Sequence, residues 1–432
     1  MKDKITIYPN YLGGEVKIPP SKSMAHRYII GAALSEQEVI VKNIEASKDI
    51  EATLEVMYNL GVDFYRIAEA DGTLTLVIEG NGKNFKLRNK VFNCNESGST
   101  LRFLIPLLLL FSDEVIVDGK GKLGERPLNV YYEIMQEQGI DFTNDQGNLP
   151  LVLESGRELL QPGYFKVRGD ISSQFITGLL YALPLLDGDS VIEVTTTLES
   201  RPYIDLTIKA LADFDIVIEN EDYRVFRIAG NQKYSSGIYE VEGDYSQLAF
   251  FAVAGAIGEN EIRCIGLDRH SLQGDKVIID IMKEMGADIE EITGGFVFRP
   301  SKTRGTVIDI KECPDLVPAL SVLACLSEGE TRIINGERLK IKESNRLEST
   351  SKELMKMGAN ILIGEDSLTI TGIDSFSGGT VDSWNDHRVA MSLGVASQRA
   401  SEPMVLTGAG SVAKSYPRFW SDFVKLGGKI SE

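Results

Sequence analysis

Ser99-Thr100-Leu101-Arg102-Phe103-Leu104-Ile105-Pro106-Leu107-Leu108-Leu109-Leu110-Phe111 is a polar start followed by an almost unbroken apolar run. It is too short to span a bilayer and carries Arg102 and Pro106, so it reads as a buried helix with a capped N-terminus. Five other stretches repeat the pattern: Ser23 before residues 28–34, Ser173 before 175–186, Ser246 before 248–257, Asp315 before 316–326, and Asp386 before 389–395. Successive starts lie close to one sixth of the 432 residues apart. A second series interleaves with the first. Amphipathic segments at 49–60, 126–138, 200–213, 275–285, 344–357 and 416–426 each end in glycine or an equivalent, then run into a strand. Gly61, Gly139, Gly286, Gly358 and Gly427 supply the left-handed position past a helix, and Phe214-Asp215 stands in their place in the third copy. Two series with matched spacing predict six copies of one α/β unit, too long for the usual solenoid period of roughly 20–50 residues. Strand-like stretches at 74–79, 114–118, 190–195, 261–265 and 331–334 fill the gaps. An even split gives two domains of three units, with a seam near residues 241–244.

Composition narrows the function. Lys and Arg total 45 against 63 Asp and Glu, a net charge of −18. That argues against duplex nucleic acid or an anionic membrane as partner, while leaving room for a small anion in a locally basic cleft. With 43% hydrophobic and 25% charged residues, the chain has the balance of a soluble globular enzyme. Cys94, Cys264, Cys313 and Cys325 form no CxxC, and His26, His270 and His387 form no HExxH. Free thiols in a reducing compartment and no metal site are expected. Residues 1–14 lack the apolar core of a signal peptide, so the expected location is the cytoplasm.

The starts of the six apolar helices share a chemistry. They are Ser21-Lys22-Ser23 with Arg27, Ser97-Gly98-Ser99-Thr100 with Arg102, Ser172-Ser173-Gln174, Asp244-Tyr245-Ser246, Pro314-Asp315, and Asp386-His387-Arg388. Helix N-termini offer free N–H groups and partial positive charge, so cations there are unfavourable unless an anion offsets them. Capping alone explains any single start; the recurrence of Lys22, Arg27, Arg102 and Arg388 points to a bound polyanion. A second basic group falls near the amphipathic helices: Arg126, Arg201, Lys342, Arg346 and Lys414. Residues 119–124 match GxGxxG, but Glu125-Arg126-Pro127 follows where a dinucleotide-binding helix would continue. That stretch reads as a loop presenting Arg126.

Three segments carry a resemblance: Pro20-Ser21-Lys22-Ser23-Met24-Ala25-His26-Arg27, Asn95-Glu96-Ser97-Gly98-Ser99-Thr100-Leu101-Arg102, and Lys342-Glu343-Ser344-Asn345-Arg346-Leu347. With Gly124-Glu125-Arg126-Pro127, Ser172-Ser173-Gln174, Asp386-His387-Arg388 and Lys414, the chain resembles the 5-enolpyruvylshikimate-3-phosphate synthases (3-phosphoshikimate 1-carboxyvinyltransferases) over nearly its whole length. The resemblance implies an α/β fold, a two-domain inside-out α/β barrel of six βαβαββ repeats. Residues 22–241 would form one domain, residues 1–21 with 242–432 the other, and the active site would lie in the interdomain cleft. It implies enolpyruvyl transfer from phosphoenolpyruvate to the 5-hydroxyl of shikimate 3-phosphate, a step of aromatic amino acid biosynthesis, by a monomer without cofactor. Lys22, Ser23, Arg27, Ser172, Ser173, Gln174, Ser200, Tyr203, Asp315 and Lys342 would hold shikimate 3-phosphate. Lys22, Gly98, Arg126, Gln174, Arg346, Arg388 and Lys414 would hold phosphoenolpyruvate, whose site takes glyphosate in sensitive members. Asp315, Glu343 and Lys22 would move protons, their division of labour left open. Glu96, Arg338 and Asn345 depart from the family's commonest residues. Two alternatives differ in chemistry. UDP-N-acetylglucosamine 1-carboxyvinyltransferases share the architecture but carry a reactive cysteine on the loop equivalent to 119–126, which here has none. An RNA-processing protein of related repeats is disfavoured by the charge of −18 and by Lys342-Glu343.

Overall fold

The computed structural model describes residues 3–111, 113–154 and 159–432. Residues 1 and 2 of the expected C-terminal domain lie outside them. The helices are α1 (Lys22–Leu34), α2 (Lys48–Asn59), α3 (Gly98–Leu108), α4 (Asn129–Glu137), α5 (Gln174–Ala182), α6 (Arg201–Asp213), α7 (Tyr245–Ile257), α8 (Ile278–Glu284), α9 (Val317–Cys325), α10 (Arg346–Lys356), α11 (His387–Ala396) and α12 (Phe419–Lys425). The strands among the described residues form six sheets, each four-stranded and each built alike. In one, Val91–Asn93 leads through α3 to its parallel neighbour Val115–Asp118. After α4, Phe142–Asp145 and Asn148–Leu153 close the sheet as an antiparallel hairpin, the latter against Val115–Asp118. Parallel neighbours need a helical crossover and antiparallel ones a tight turn, so the sequence grammar of buried helix, strand, amphipathic helix, hairpin dictates this order.

The chain separates into two compact units, Ser21–Val241 and Met1–Pro20 with Glu242–Glu432. Each unit closes its sheets with strands from its own sequence extremes. In the first, Ile238–Glu240 lies parallel to Glu38–Ile44. In the second, Lys4–Tyr8 sits between Met404–Thr407 and Lys429–Ser431, and Gly14–Lys17 pairs with Ile262–Ile265. The two crossing segments are bonded to each other: the Asp244 N–H donates to the Pro19 carbonyl at 2.9 Å, and Pro20 bridges Gly243. The boundary falls between Pro20 and Ser21, one residue before the expected 22, because Ser21 caps α1.

Each unit has its own core. In the second unit α7, α9 and α11 pack on one another, and every residue of α7 and of α9 is buried. In the first, α1, α3 and α5 take that place. The apolar runs therefore mark inner helices, and α10, with a polar exposed side, is typical of the outer ones. Glycines at the predicted helix exits adopt positive φ, 99° at Gly61 and 105° at Gly427, and Asp215 does the same at 61° in the third copy.

Several starts differ from expectation. Ser21, Ser97 and Asp244 accept the capping N–H groups, two residues upstream of Ser23, Ser99 and Ser246. The apolar run misleads because each helix spends its first turn on polar side chains. Asp315 lies in a 3-10 turn (Pro314–Leu316) ahead of α9, not at its cap. Arg126 is extended and α4 begins only at Asn129, which leaves Pro127 outside the helix. The GxGxxG match is a 3-10 turn (Gly121–Glu125) with no dinucleotide-type helix behind it.

Candidate active site

In the unit Ser21–Val241 the starts of α1, α3, α5 and α6 carry the candidate residues. Lys22 donates to Asp49 at the start of α2, Nζ to Oδ2 2.7 Å. Arg27, one turn into α1, is buried and donates only to neutral oxygens in its recorded bonds: Thr207 Oγ1 at 3.0 Å, the Ser23 carbonyl at 2.7 Å and the Tyr203 carbonyl at 2.9 Å. Burial draws its guanidinium down to about 10. Arg27 thus ties the α1 start to α6, where Ser200 holds a left-handed φ of 55° and Tyr203 sits in the first turn. At α5, Ser172 accepts the Gln174 N–H at 3.3 Å and Ser173 is buried beside it.

Gly98 is where α3, α5 and the 3-10 turn meet. A methyl group built there would stand 2.9 Å from Arg126 Nη1 and 3.6 Å from both Arg102 Nη1 and Gln174 Oε1. Arg102 Nη1 donates to Gln174 Oε1 at 2.7 Å, and Gln174 Nε2 donates to Ser99 Oγ at 2.9 Å, which sets the amide's orientation. Glu96 packs against Gly121 in the turn that ends at Arg126.

The second unit concentrates charge. Asp315 faces Arg346 Nη1 at 2.7 Å, Arg388 Nη2 at 3.1 Å and Lys342 Nζ at 3.3 Å. Arg346 also holds Glu343 at 2.8 Å and, through Nε, Asp386 at 2.8 Å. Asp386 caps α11 through the Arg388 N–H and accepts the Ser344 hydroxyl at 3.0 Å. Burial pushes the Asp315 carboxyl up, but Arg388, Lys342 and Arg346 outweigh it and hold it well below the usual range. Burial draws Lys342 down, with Asp315 opposing; Arg346 is carried upward against burial by Asp386, Glu343 and Asp315. Lys414 is buried at the end of a 3-10 turn (Ala409–Lys414), beside Ser415, which accepts a bond from Gln247 of α7. Arg338 sits in the turn Glu337–Ile341, and Asn345 precedes α10 and donates to Glu348.

Within the second unit, Asp315, Lys342, Glu343, Arg346 and Arg388 come into direct contact. Within the first, Gly98, Arg126 and Gln174 converge, and Arg27 reaches Tyr203. Of the cations expected at the apolar helix starts, Lys22 is paired with Asp49 and Arg388 with Asp315, and Arg346 of the second basic group is paired with carboxylates too. Sequence reasoning named Asp315 and Glu343 as proton movers but missed Asp49 and Asp386 as counter-charges. Asp49 was legible as an acid in the first turn of an amphipathic helix, and Asp386 as a helix start; their partners lie far away in sequence. Arg102, noted among the cations, proves to orient Gln174. Burial pushes the Cys325 thiol up to about 12 and the other three higher still. Among the described residues no group of three or more His, Cys, Asp or Glu is arranged to hold a metal ion.

Known proteins match this layout from end to end. The family model for EPSP synthase (3-phosphoshikimate 1-carboxyvinyltransferase) covers residues 8–423. Curated 3-phosphoshikimate 1-carboxyvinyltransferases of Clostridium kluyveri and Clostridium novyi are each 50% identical, covering 99% and 100% of this chain and 98% and 99% of their own. The solved EPSP synthase of Acinetobacter baumannii superposes with a TM-score of 0.83 at 25% identity, over 99% of this chain and all of that one. The six repeated sheets are those of the two-domain inside-out α/β fold, and the chain belongs to the EPSP synthase (3-phosphoshikimate 1-carboxyvinyltransferase) family.

Proposed function

We propose that the residues assembled above perform enolpyruvyl transfer from phosphoenolpyruvate to the 5-hydroxyl of shikimate 3-phosphate. The observation that carries the reading is the group around Asp315, where two carboxylates able to move protons share Arg346 with each other and Asp315 also meets Lys342 and Arg388. Addition needs a base at the hydroxyl and an acid at the methylene carbon, and cations for the charge that develops. Asp315 takes the base role and Glu343 the carbon-side role, with Lys22 as a further acid–base group. Lys22, Ser23, Arg27, Ser172, Ser173, Gln174, Ser200, Tyr203, Asp315 and Lys342 bind shikimate 3-phosphate. Lys22, Gly98, Arg126, Gln174, Arg346, Arg388 and Lys414 bind phosphoenolpyruvate.

The cysteine-dependent alternative is disfavoured, since residues 119–126 contain no cysteine and the four thiols are buried. The enzyme acts as a cytoplasmic monomer on small anions. A charge of −18 is unsuited to nucleic acid, and no helix among the described residues is long and apolar enough to cross a membrane. Phosphate release that requires both phosphoenolpyruvate and shikimate 3-phosphate is the expected assay result. Release with UDP-N-acetylglucosamine in place of shikimate 3-phosphate would overturn it.

A further inference from the structure

Glu353 is an acid buried to 1% exposure on α10, seven residues after the equally buried Arg346. Seven residues make almost two turns, so the two side chains lie one above the other on one face of the helix. That face meets the segment between the strand Gly379–Asp382 and α11. At one end of the segment Arg346 holds Asp386, Nε to Oδ2 at 2.8 Å and Nη2 to Oδ1 at 3.3 Å. At the other end Glu353 Oε1 accepts the Trp384 indole N–H at 2.7 Å, and Oε2 accepts the Asp382 backbone N–H at 2.9 Å.

The segment between these two points has to be held. Trp384 and Asn385 both stand in the left-handed region, with φ of 56° and 53°. Asparagine tolerates that region, but a bulky residue there is uncommon and persists only where its surroundings fix it. The Trp384 backbone N–H also donates to Asp382 Oδ1 at 2.6 Å, and Lys352 Nζ lies 5.7 Å from the ring centre. The pair leads into Asp386, whose N–H donates to the Ser383 carbonyl and whose carboxylate meets Arg346, Ser344 and the Arg388 N–H. A carboxylate suits the Glu353 position because it only accepts. Both oxygens face N–H groups of the segment, and the half-exposed Lys356 bridges them at 2.9 and 2.7 Å. Glutamine, of the same shape, would turn an amide nitrogen towards one of those donors.

We infer that Glu353 and Trp384 are positioning residues for the donor site: by holding the indole and the Asp382 N–H, Glu353 fixes the left-handed pair from which Asp386 aims Arg346 and starts the helix carrying Arg388, and so sets the affinity for phosphoenolpyruvate. The inference rests on the proposed assignment of Arg346 and Arg388 to that substrate.

The test is steady-state kinetics of the full chain, each substrate varied at saturating levels of the other. Glu353→Gln should raise KM for phosphoenolpyruvate roughly tenfold, the scale of one lost bond to a charged group, and leave KM for shikimate 3-phosphate unchanged. A merely structural change would lower the active fraction, and with it kcat, without separating the two constants. Trp384→Phe keeps a ring and loses the N–H; it should give the same split, and it carries the test if Glu353→Gln fails to fold. The double variant should do no worse than either single one. Lys356→Gln should behave as wild type, and a rise equal to that of Glu353→Gln would place the effect in the ion pair and overturn the inference. The two tryptophans give two indole signals in proton–nitrogen correlation spectra. The signal missing from Trp384→Phe should shift in Glu353→Gln, and an unmoved signal overturns the inference whatever the activity. Arg388→Lys separates the inference from the reading beneath it. A raised KM for phosphoenolpyruvate there, with an unchanged one in Glu353→Gln, overturns the inference alone; no rise in either sinks the assignment of the donor site, and the inference with it.

Discussion

Arg27 and Arg346 are the same residue type, almost equally buried, in opposite electrostatic settings. Arg27 gives its recorded bonds to a hydroxyl and two backbone carbonyls, and burial lowers its proton affinity. Arg346 is surrounded by Asp315, Glu343 and Asp386, which together raise its proton affinity despite burial. The unit Ser21–Val241 thus keeps a buried cation facing neutral oxygens, suited to receiving a phosphate or carboxylate without first displacing one. In the other unit the buried cation already faces carboxylates, which on the proposed reading serve proton transfer.

The largest expected effect tests that contrast directly. Arg346→Met leaves three carboxylates without their shared cation and should cost about 3–5 kcal/mol of stability. Arg27→Met leaves neutral acceptors and should cost about 1–3 kcal/mol, while removing shikimate 3-phosphate binding. Urea unfolding of both variants measures the pair, and equal losses would break the comparison. Next in size, Asp315→Asn keeps an acceptor for the surrounding cations but cannot take a proton. Turnover should fall roughly 10²–10⁴-fold with shikimate 3-phosphate binding still measurable by calorimetry; lost binding would make Asp315 a scaffold residue instead.

An effect smaller at each pH unit belongs to His26, which is fully buried in the first unit with Nδ1 2.8 Å from Thr53 Oγ1. Burial lowers its pKa to about 3, with Asp49 opposing and Lys22 and Arg27 reinforcing. Above the ordinary histidine pKa it is neutral folded or unfolded and contributes no pH dependence. As pH falls from about 6.5 towards about 3, the unfolded chain gains a proton that the folded one refuses. Stability should then drop by about 1.4 kcal/mol per pH unit. His26→Gln should flatten this limb by one proton in unfolding curves taken across that range; identical slopes would show that His26 titrates freely.

The smallest effect sharpens the picture of Gly98. Its φ is one that alanine tolerates, and the added methyl would meet the mobile end of Arg126 at 2.9 Å. Glyphosate, longer than phosphoenolpyruvate, should compete with it in wild type. Gly98→Ala should weaken glyphosate strongly and phosphoenolpyruvate less, overpacking of this kind costing about 1–3 kcal/mol. Inhibition curves at constant phosphoenolpyruvate check this, and an unshifted curve would mean that Arg126 moves aside freely.

The sequence by itself determined the repeat. Apolar runs long enough to be buried all round, and glycine or Asp215 at each helix exit, are local signals, because burial and left-handed backbone each restrict which residues can stand there. Residue order also revealed the cations, through the local cost of a positive charge at a helix start. Only the tertiary structure decided what those cations face. Asp49 meets Lys22, and Asp386 and Asp315 meet Arg346, across 27, 40 and 31 residues of chain. No periodicity records such a pairing, since it depends on three-dimensional distance and on the low dielectric around buried groups. The same holds for the caps at Ser21, Ser97 and Asp244, where hydropathy located the helix but hydrogen-bond geometry chose which polar residue closed it.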